Sequence, residues 1–166
     1  VPQRSVSSYF MTEGVIFAVA VNMRCLPGMD GCKLTQRKII WGTANNFAKN
    51  KSARNGLTEN ITRVKVSHLG SIISNNVGFD HAENQMNDAI VRMASPFKNN
   101  MTFLQPLGQF GNLFRGLKGA TKARYLHTAP SDIMTFMFPP ADTHMLKLKR
   151  GHGIGLSEPA NLLPIM

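Results

Sequence analysis

Residues 64–96 constrain this chain most. "VKVSHLGSIIS" (64–74) puts Val66, Leu69, Ile72 and Ile73 at helical spacing. "HAENQMNDAIVRMA" (81–94) sets Met86, Ile90 and Met93 on one helical face, and Pro96 stops the pattern. Between them "NNVGFD" (75–80) is a tight connection. Two short helices joined this closely have the outline of a helix-turn-helix, whose second helix is the one placed in a DNA groove. Its polar face offers His81, Asn84, Gln85 and Arg92. A solvated face with no ligand is the other reading of the same residues, because short helix pairs occur in any α-rich domain.

Charge bears on that choice. Lys and Arg outnumber Asp and Glu by 19 to 9, giving a net charge of +10 and a pI near 10.1. Such a balance implies a polyanionic partner, nucleic acid first. A solubility charge, or a piece of a more neutral protein, would account for the same number. A membrane surface fits less well, and no membrane is expected. No long basic amphipathic helix with an aromatic face is evident. The apolar stretch "GVIFAVAV" (14–21) falls short of the roughly 20 residues a span needs. A hydrophobic fraction of 43% against 17% charged residues indicates a folded chain.

The remaining sequence reads as one unit. A helix is expected over 6–23, a turn at "LPGMDG" (26–31), and a helix from about Thr35 with Ile39, Ile40 and Phe47 inward. "KNKSARNGLTEN" (49–60) reads as loop. After Pro96 the character changes: "TFLQPLGQFGNLF" (102–114) reads as loop and short strand, and 151–166 as extended and irregular. "GHGIG" (151–155) lacks the strand, helix and Lys-Ser/Thr of a phosphate loop. Cys25 and Cys32 are too few for a zinc site, the histidines are scattered, and no Asp-x-Asp pair offers magnesium a site. No metal or cofactor is therefore expected on this chain.

"GATKARYLHTAP" (119–130) holds Tyr125 beside Arg124, with Lys122 nearby. A phenol, with a pKa of about 10, is a poor nucleophile at neutral pH. It attacks a phosphodiester only with help in losing its proton and in stabilising the transition state. Arg124 is always charged and can grip a phosphate through parallel donors. From chemistry alone, a half-buried structural tyrosine remains the alternative.

Several blocks change that balance. "NMRCLPGMDGCKLTQRK" (22–38), "VKVSHLGSIIS" followed by "DHAEN", "FLQPLGQFG" (103–111), Arg124-Tyr125, "MFPPADTHMLKL" and "EPANLLPI" occur in one order. Together they resemble the breakage-reunion region of type IIA DNA topoisomerases, nearest to the eukaryotic and large-DNA-virus enzymes. The Arg-Tyr pair falls at the family's distance from Gly-Gln-Phe-Gly. The resemblance covers roughly residues 9–166.

It implies an α+β, mostly α, winged-helix domain with a small β element. The winged-helix core would span about 20–130, and the start of a tower-like region about 131–166. Tyr125 would be the nucleophile that links to a DNA 5′ end, and Arg124 would stabilise the phosphate charge. Arg37, Lys33 and Lys38 would contact the DNA backbone, His81 would lie near the scissile phosphate, and Asn84, Gln85 and Lys122 would meet DNA. A homodimer on double-stranded DNA is implied. Magnesium and ATP are implied for the full-length enzyme through toprim and ATPase domains beyond these residues. Asp80 and Ala82 stand where the family has histidine and glycine. Pro130 stands in a segment expected to be helical, which tolerates proline only in a first turn. These departures motivate a second reading, a non-catalytic helix-turn-helix DNA-binding protein on the same scaffold. An RNA-binding basic protein is a third.

Overall fold

A computed structural model describes residues 5–53, 63–79, 83–150 and 157–162. It begins with one continuous helix made of α1 (Val6–Tyr9), a π-helical turn at Phe10–Gly14, and α2 (Val15–Cys25). The Ser5 hydroxyl caps it by accepting from the Ser8 N–H. None of its residues is buried, and Phe10, Met11, Ile16, Phe17 and Met23 all face outward. The helix reaches 20 residues at a mean hydropathy of 1.3, long and apolar enough to cross a membrane by length and composition alone. This amends the expectation that no stretch is long enough. Ser, Thr, Glu and Asn interrupt the apolar run without lowering its average far enough.

The chain turns at Gly31 (φ 70°), whose N–H bonds the Gly28 carbonyl. It then enters α3 (Leu34–Ala53), which starts one residue before Thr35. Ile39, Ile40 and Phe47 are buried as expected. The helix continues into the segment expected as loop, because Lys and Ala are good helix formers and no glycine or proline intervenes before Ala53. The rest of that expected loop, 54–62, lies outside the described residues.

The helix pair follows as α4 (Val66–Val77) and α5 (Glu83–Ala94). Val66, Leu69 and Ile73 on α4 and Met86, Ile90 and Ala94 on α5 are all 0% exposed and form the centre of the core. Ile72 and Met93, also expected inward, are half-buried. Helix α4 absorbs Asn75, Asn76 and Val77 and ends at Gly78, whose φ of 69° favours glycine. The connection is therefore shorter than 75–80 on the side that is described.

Strands β1 (Val64–Lys65), β2 (Leu104–Leu107) and β5 (His127–Pro130) form an antiparallel sheet in the order β1-β5-β2. Strands β3 (Phe110–Asn112) and β4 (Gly116–Ala120) form a separate hairpin between β2 and β5. Strand, helix pair, strand, hairpin, strand is a winged helix, mostly helical and α+β, as the resemblance implied. One detail differs. The residues after Tyr125 are not helical: Pro130 ends strand β5 opposite Leu104. Helix α6 (Asp132–Met137) starts only after Ser131, whose hydroxyl accepts from the Met134 N–H and donates to the Thr102 carbonyl. Pro130 thus lies outside the helix, where its missing N–H costs no helical bond.

A hairpin of β6 (Leu148–Arg150) and β7 (Ser157–Pro159) returns the chain to α3. The buried Lys38 ammonium meets Glu158 Oε2 at 3.2 Å and donates to the Gly78 carbonyl. Nearby, the Asp30 carboxylate is fully covered. It accepts from Arg37 Nε at 2.6 Å, Arg37 Nη2 at 2.8 Å, the Cys32 N–H at 3.0 Å and the Leu162 N–H at 2.8 Å. Burial alone would raise the Asp30 pKa. The donors and charge of Arg37, with the Leu162 and Cys32 amides, outweigh it and hold the carboxyl at about 2.

This packing carries two consequences for stability. In Gly42→Ala the new Cβ would sit 2.8 Å from Ile73 Cγ1. The helix-propensity gain of about 1 kcal/mol is smaller than an overpacking cost of about 1–3 kcal/mol, because Ile73 is branched at its Cβ and fully buried. Thermal melting should therefore fall, and Gly42→Ala with Ile73→Ala should lose less than the sum of the two single changes. Asp30 has its pKa depressed in the folded state, so its contribution is present above about pH 4 and is lost as pH falls toward 2. Because folding buries the carboxylate at a desolvation cost that offsets part of the gain from its donors, it is worth about 1–2 kcal/mol. Melting curves across that window should show an acid loss in the native chain that Asp30→Asn lacks.

Candidate functional site

Tyr125 closes a single 3-10 turn, Ala123–Tyr125, led in by Lys122. The turn is held by the Tyr125 N–H on the Lys122 carbonyl at 2.9 Å and the Leu126 N–H on the Ala123 carbonyl at 3.3 Å. The next residue is the anchor. Leu126 is 1% exposed within the core, and its carbonyl accepts from the Val66 N–H at 2.9 Å. That bond ties the turn to the first residue of α4, whose first amides have no partner within the helix. Both α4 and α5 pack against the turn.

With Leu126 buried, Tyr125 is turned outward and is 65% exposed. The Arg124 guanidinium carbon lies 5.9 Å from the tyrosine ring centroid, at the outer edge of a cation–π contact. Arg124 and Lys122 are both exposed. The arrangement therefore presents a phenol and a fixed positive charge together, on a rigid base, to whatever approaches from solvent.

The other expected site residues fall into separate groups. Asn84 and Gln85 are exposed near the start of α5. Glu83 beside them is engaged by the Ser71 hydroxyl at 3.1 Å. Lys33 is exposed. Arg37 and Lys38, expected at DNA, have a different placement: their side chains are 8% and 4% exposed and are paired with Asp30 and Glu158. The reason is electrostatic. Asp30 and Glu158 are buried carboxylates that need cations, and Arg37 and Lys38 supply them. Arg37 also donates to the Cys32 carbonyl, and its own pKa is raised, chiefly by the Asp30 hydrogen bonds. Burial pushes the Cys32 thiol up to about 11, which leaves it inert near neutral pH. His81, with Asp80 and Ala82, lies outside the described residues, as does "GHGIG".

Sequence reading passed over the hairpin cations. Residues 89–131 contain Arg92, Lys98, Arg115, Lys118, Lys122 and Arg124 and no Asp or Glu. All six cations are exposed. The signal was the absence of acid over that stretch rather than any motif. Among the described residues no group of three or more His, Cys, Asp or Glu could hold a metal ion. The segment carrying Tyr125 offers magnesium no carboxylate, so these residues do not fit a metal site.

Comparison with known proteins agrees with this geometry. The family model for the A-type chain of DNA gyrase/topoisomerase IV matches residues 24–166. The chain is 31% identical over 164 residues to DNA topoisomerase 2 of Meyerozyma guilliermondii, covering 97% of this chain and 11% of that protein. It is 31% identical over 144 residues to human DNA topoisomerase 2-alpha, covering 85% and 9%. The solved DNA-binding, cleavage and re-ligation domain of Plasmodium falciparum topoisomerase II superposes with a TM-score of 0.75 at 30% identity, over 90% of this chain and 19% of that one. The chain thus spans roughly a tenth of the length of these curated relatives. A winged helix that matches the family model over nearly its whole length belongs to the DNA gyrase/topoisomerase IV family, among the type II DNA topoisomerases.

Proposed function

We propose that this chain is the DNA-cleaving tyrosine segment of an ATP-dependent type II DNA topoisomerase. The observation that carries the reading is the exposed Tyr125 beside the Arg124 guanidinium, on a turn anchored to a helix-turn-helix. The similarity to a DNA-binding, cleavage and re-ligation domain supports it.

In this reading the Tyr125 phenolic oxygen attacks the phosphorus of a DNA phosphodiester. The P–O bond to the 3′ oxygen breaks, and a tyrosyl phosphodiester forms at the 5′ end. The phenol gives up its proton, and the departing 3′ oxygen takes one. One ester replaces another, so the bond energy is kept and the freed 3′ hydroxyl can reverse the step. Arg124 stabilises the charge that develops on the phosphate oxygens. Lys122, Lys33, Asn84 and Gln85 are the described residues assigned to DNA, with His81 near the cut. Arg37 and Lys38, which the resemblance assigns to the DNA backbone, are here paired with Asp30 and Glu158. A homodimer would bring two tyrosines to opposite strands. Magnesium and ATP would be held by toprim and ATPase domains of the whole enzyme, where magnesium would supply electrostatic stabilisation of the transferring phosphate.

The test combines the chain with a toprim-bearing partner, magnesium and duplex DNA, then denatures and looks for protein-linked DNA. An adduct is expected with the native chain and none with Tyr125→Phe. Arg124→Ala should lower adduct formation by about 10²–10³-fold. An adduct that persists in Tyr125→Phe would remove the nucleophile assignment. Duplex binding with no adduct would favour the second reading, a DNA-binding protein without the chemistry.

A further inference from the structure

The tip of the β3–β4 hairpin combines exposed apolar side chains with neighbouring cations. Leu113 is 76% exposed and Phe114 is 96% exposed, side by side at the turn. Single exposed apolar residues are ordinary on protein surfaces. Here the pair lies in a stretch of chain whose charges are all of one sign. Arg115 follows directly, Lys118 lies on β4, Lys122 and Arg124 follow on the same exposed stretch, and no acidic residue occurs from 89 to 131.

The tip is also a built turn. The Asn112 side-chain oxygen accepts from the Arg115 N–H at 2.7 Å. Gly116 has φ 59° and closes the loop. Gly111 has φ 98° at an irregularity in the β3–β4 register, and a Cβ there would meet the Gly116 carbonyl oxygen at 2.5 Å. At the base, the Ser95 hydroxyl shares its one hydrogen between the Val91 carbonyl at 2.6 Å and the Phe110 carbonyl at 3.2 Å, which links the hairpin to the end of α5. A phenyl ring held out in water on such a support is ready to be covered with little further ordering.

The partner must accept a ring and carry negative charge around it. Duplex DNA does both when a base step opens. Phe and Leu are among the side chains that proteins insert between base pairs from the minor groove, with cations on the flanking phosphates. We propose that Phe114, assisted by Leu113, enters bound duplex DNA as an apolar wedge that unstacks one base step, while Arg115 and Lys118 hold the adjacent phosphates. Pyrimidine–purine steps are the preferred point of entry, because they unstack most easily. This rests on the DNA-binding reading above.

The experiment uses the whole 166-residue chain and short duplexes carrying 2-aminopurine in place of the adenine of a single TA step. Binding is read by anisotropy, unstacking by 2-aminopurine fluorescence at saturation, and folding by circular dichroism. The native chain should bind and brighten the probe. Phe114→Ala should bind about tenfold more weakly, the order for losing one aromatic stacking contact, and leave the probe dark even when saturated. Phe114→Trp should restore the signal. Arg115→Ala should weaken binding and flatten its salt dependence without dimming the saturated probe. Binding by the native chain with a dark probe, or equal brightening by Phe114→Ala, would overturn the wedge and leave DNA binding standing. Absence of duplex binding at low salt would overturn both. A dimer in sedimentation that Phe114→Ala abolishes would assign the tip to a second copy of the chain and overturn the wedge.

Discussion

Tyr125 stands in water because Leu126 does not. Burial of that leucine in the helix-pair core, and the bond from the Val66 N–H to its carbonyl, fix where the turn 123–125 sits and which way its side chains point. A leucine fully buried is worth about 2 kcal/mol or more. The tyrosine and arginine therefore need no stabilising contacts of their own. Side chains on the turn are free to be exposed when their neighbour supplies the anchorage. The same leucine lies just before strand β5, so the sheet, the helix pair and the tyrosine share one point of reference.

The basic character of the chain divides in two. Arg37 and Lys38 lie inside and hold the ends of the fold together: Arg37 through Asp30, which also receives the Leu162 amide, and Lys38 through Glu158. Residues near 30 and near 160 are thereby joined across most of the sequence. The cations of 92–124 instead remain on the surface with no acid among them. The first set serves cohesion, and the second defines an electropositive stretch around the hairpin and Tyr125. Net charge alone cannot separate the two.

Much of the helical part was legible. The spacing of Val66, Leu69, Ile73, Met86 and Ile90 marks a buried seam with a 3.6 period, and the seam is there. The extent of α3 was not, because a Lys-rich polar segment looks the same as surface helix or as loop. The strands were legible only as a change of character, since elements of two to five residues with glycine and proline show no period. Pro130 argued against the expected helix and was right to do so: the chain is extended there. The Arg-Tyr pair could be found from ordered blocks, but its exposure depends on Leu126, which carries no local signature. Burial of Arg37 and Lys38 was hidden for a different reason. Their partners, Asp30 and Glu158, are ordinary acidic residues until the fold closes around them.

The small sheet has a consequence for how the molecule behaves among its own copies. Its outer strands are β1 and β2. The first has two residues before the backbone turns helical, and the second carries Pro106, which has no amide hydrogen to donate. Both features are ones that disfavour extension of a sheet rim by another chain's backbone. Growth of this sheet by added strands is discouraged at both sides by two simple devices, shortness and proline.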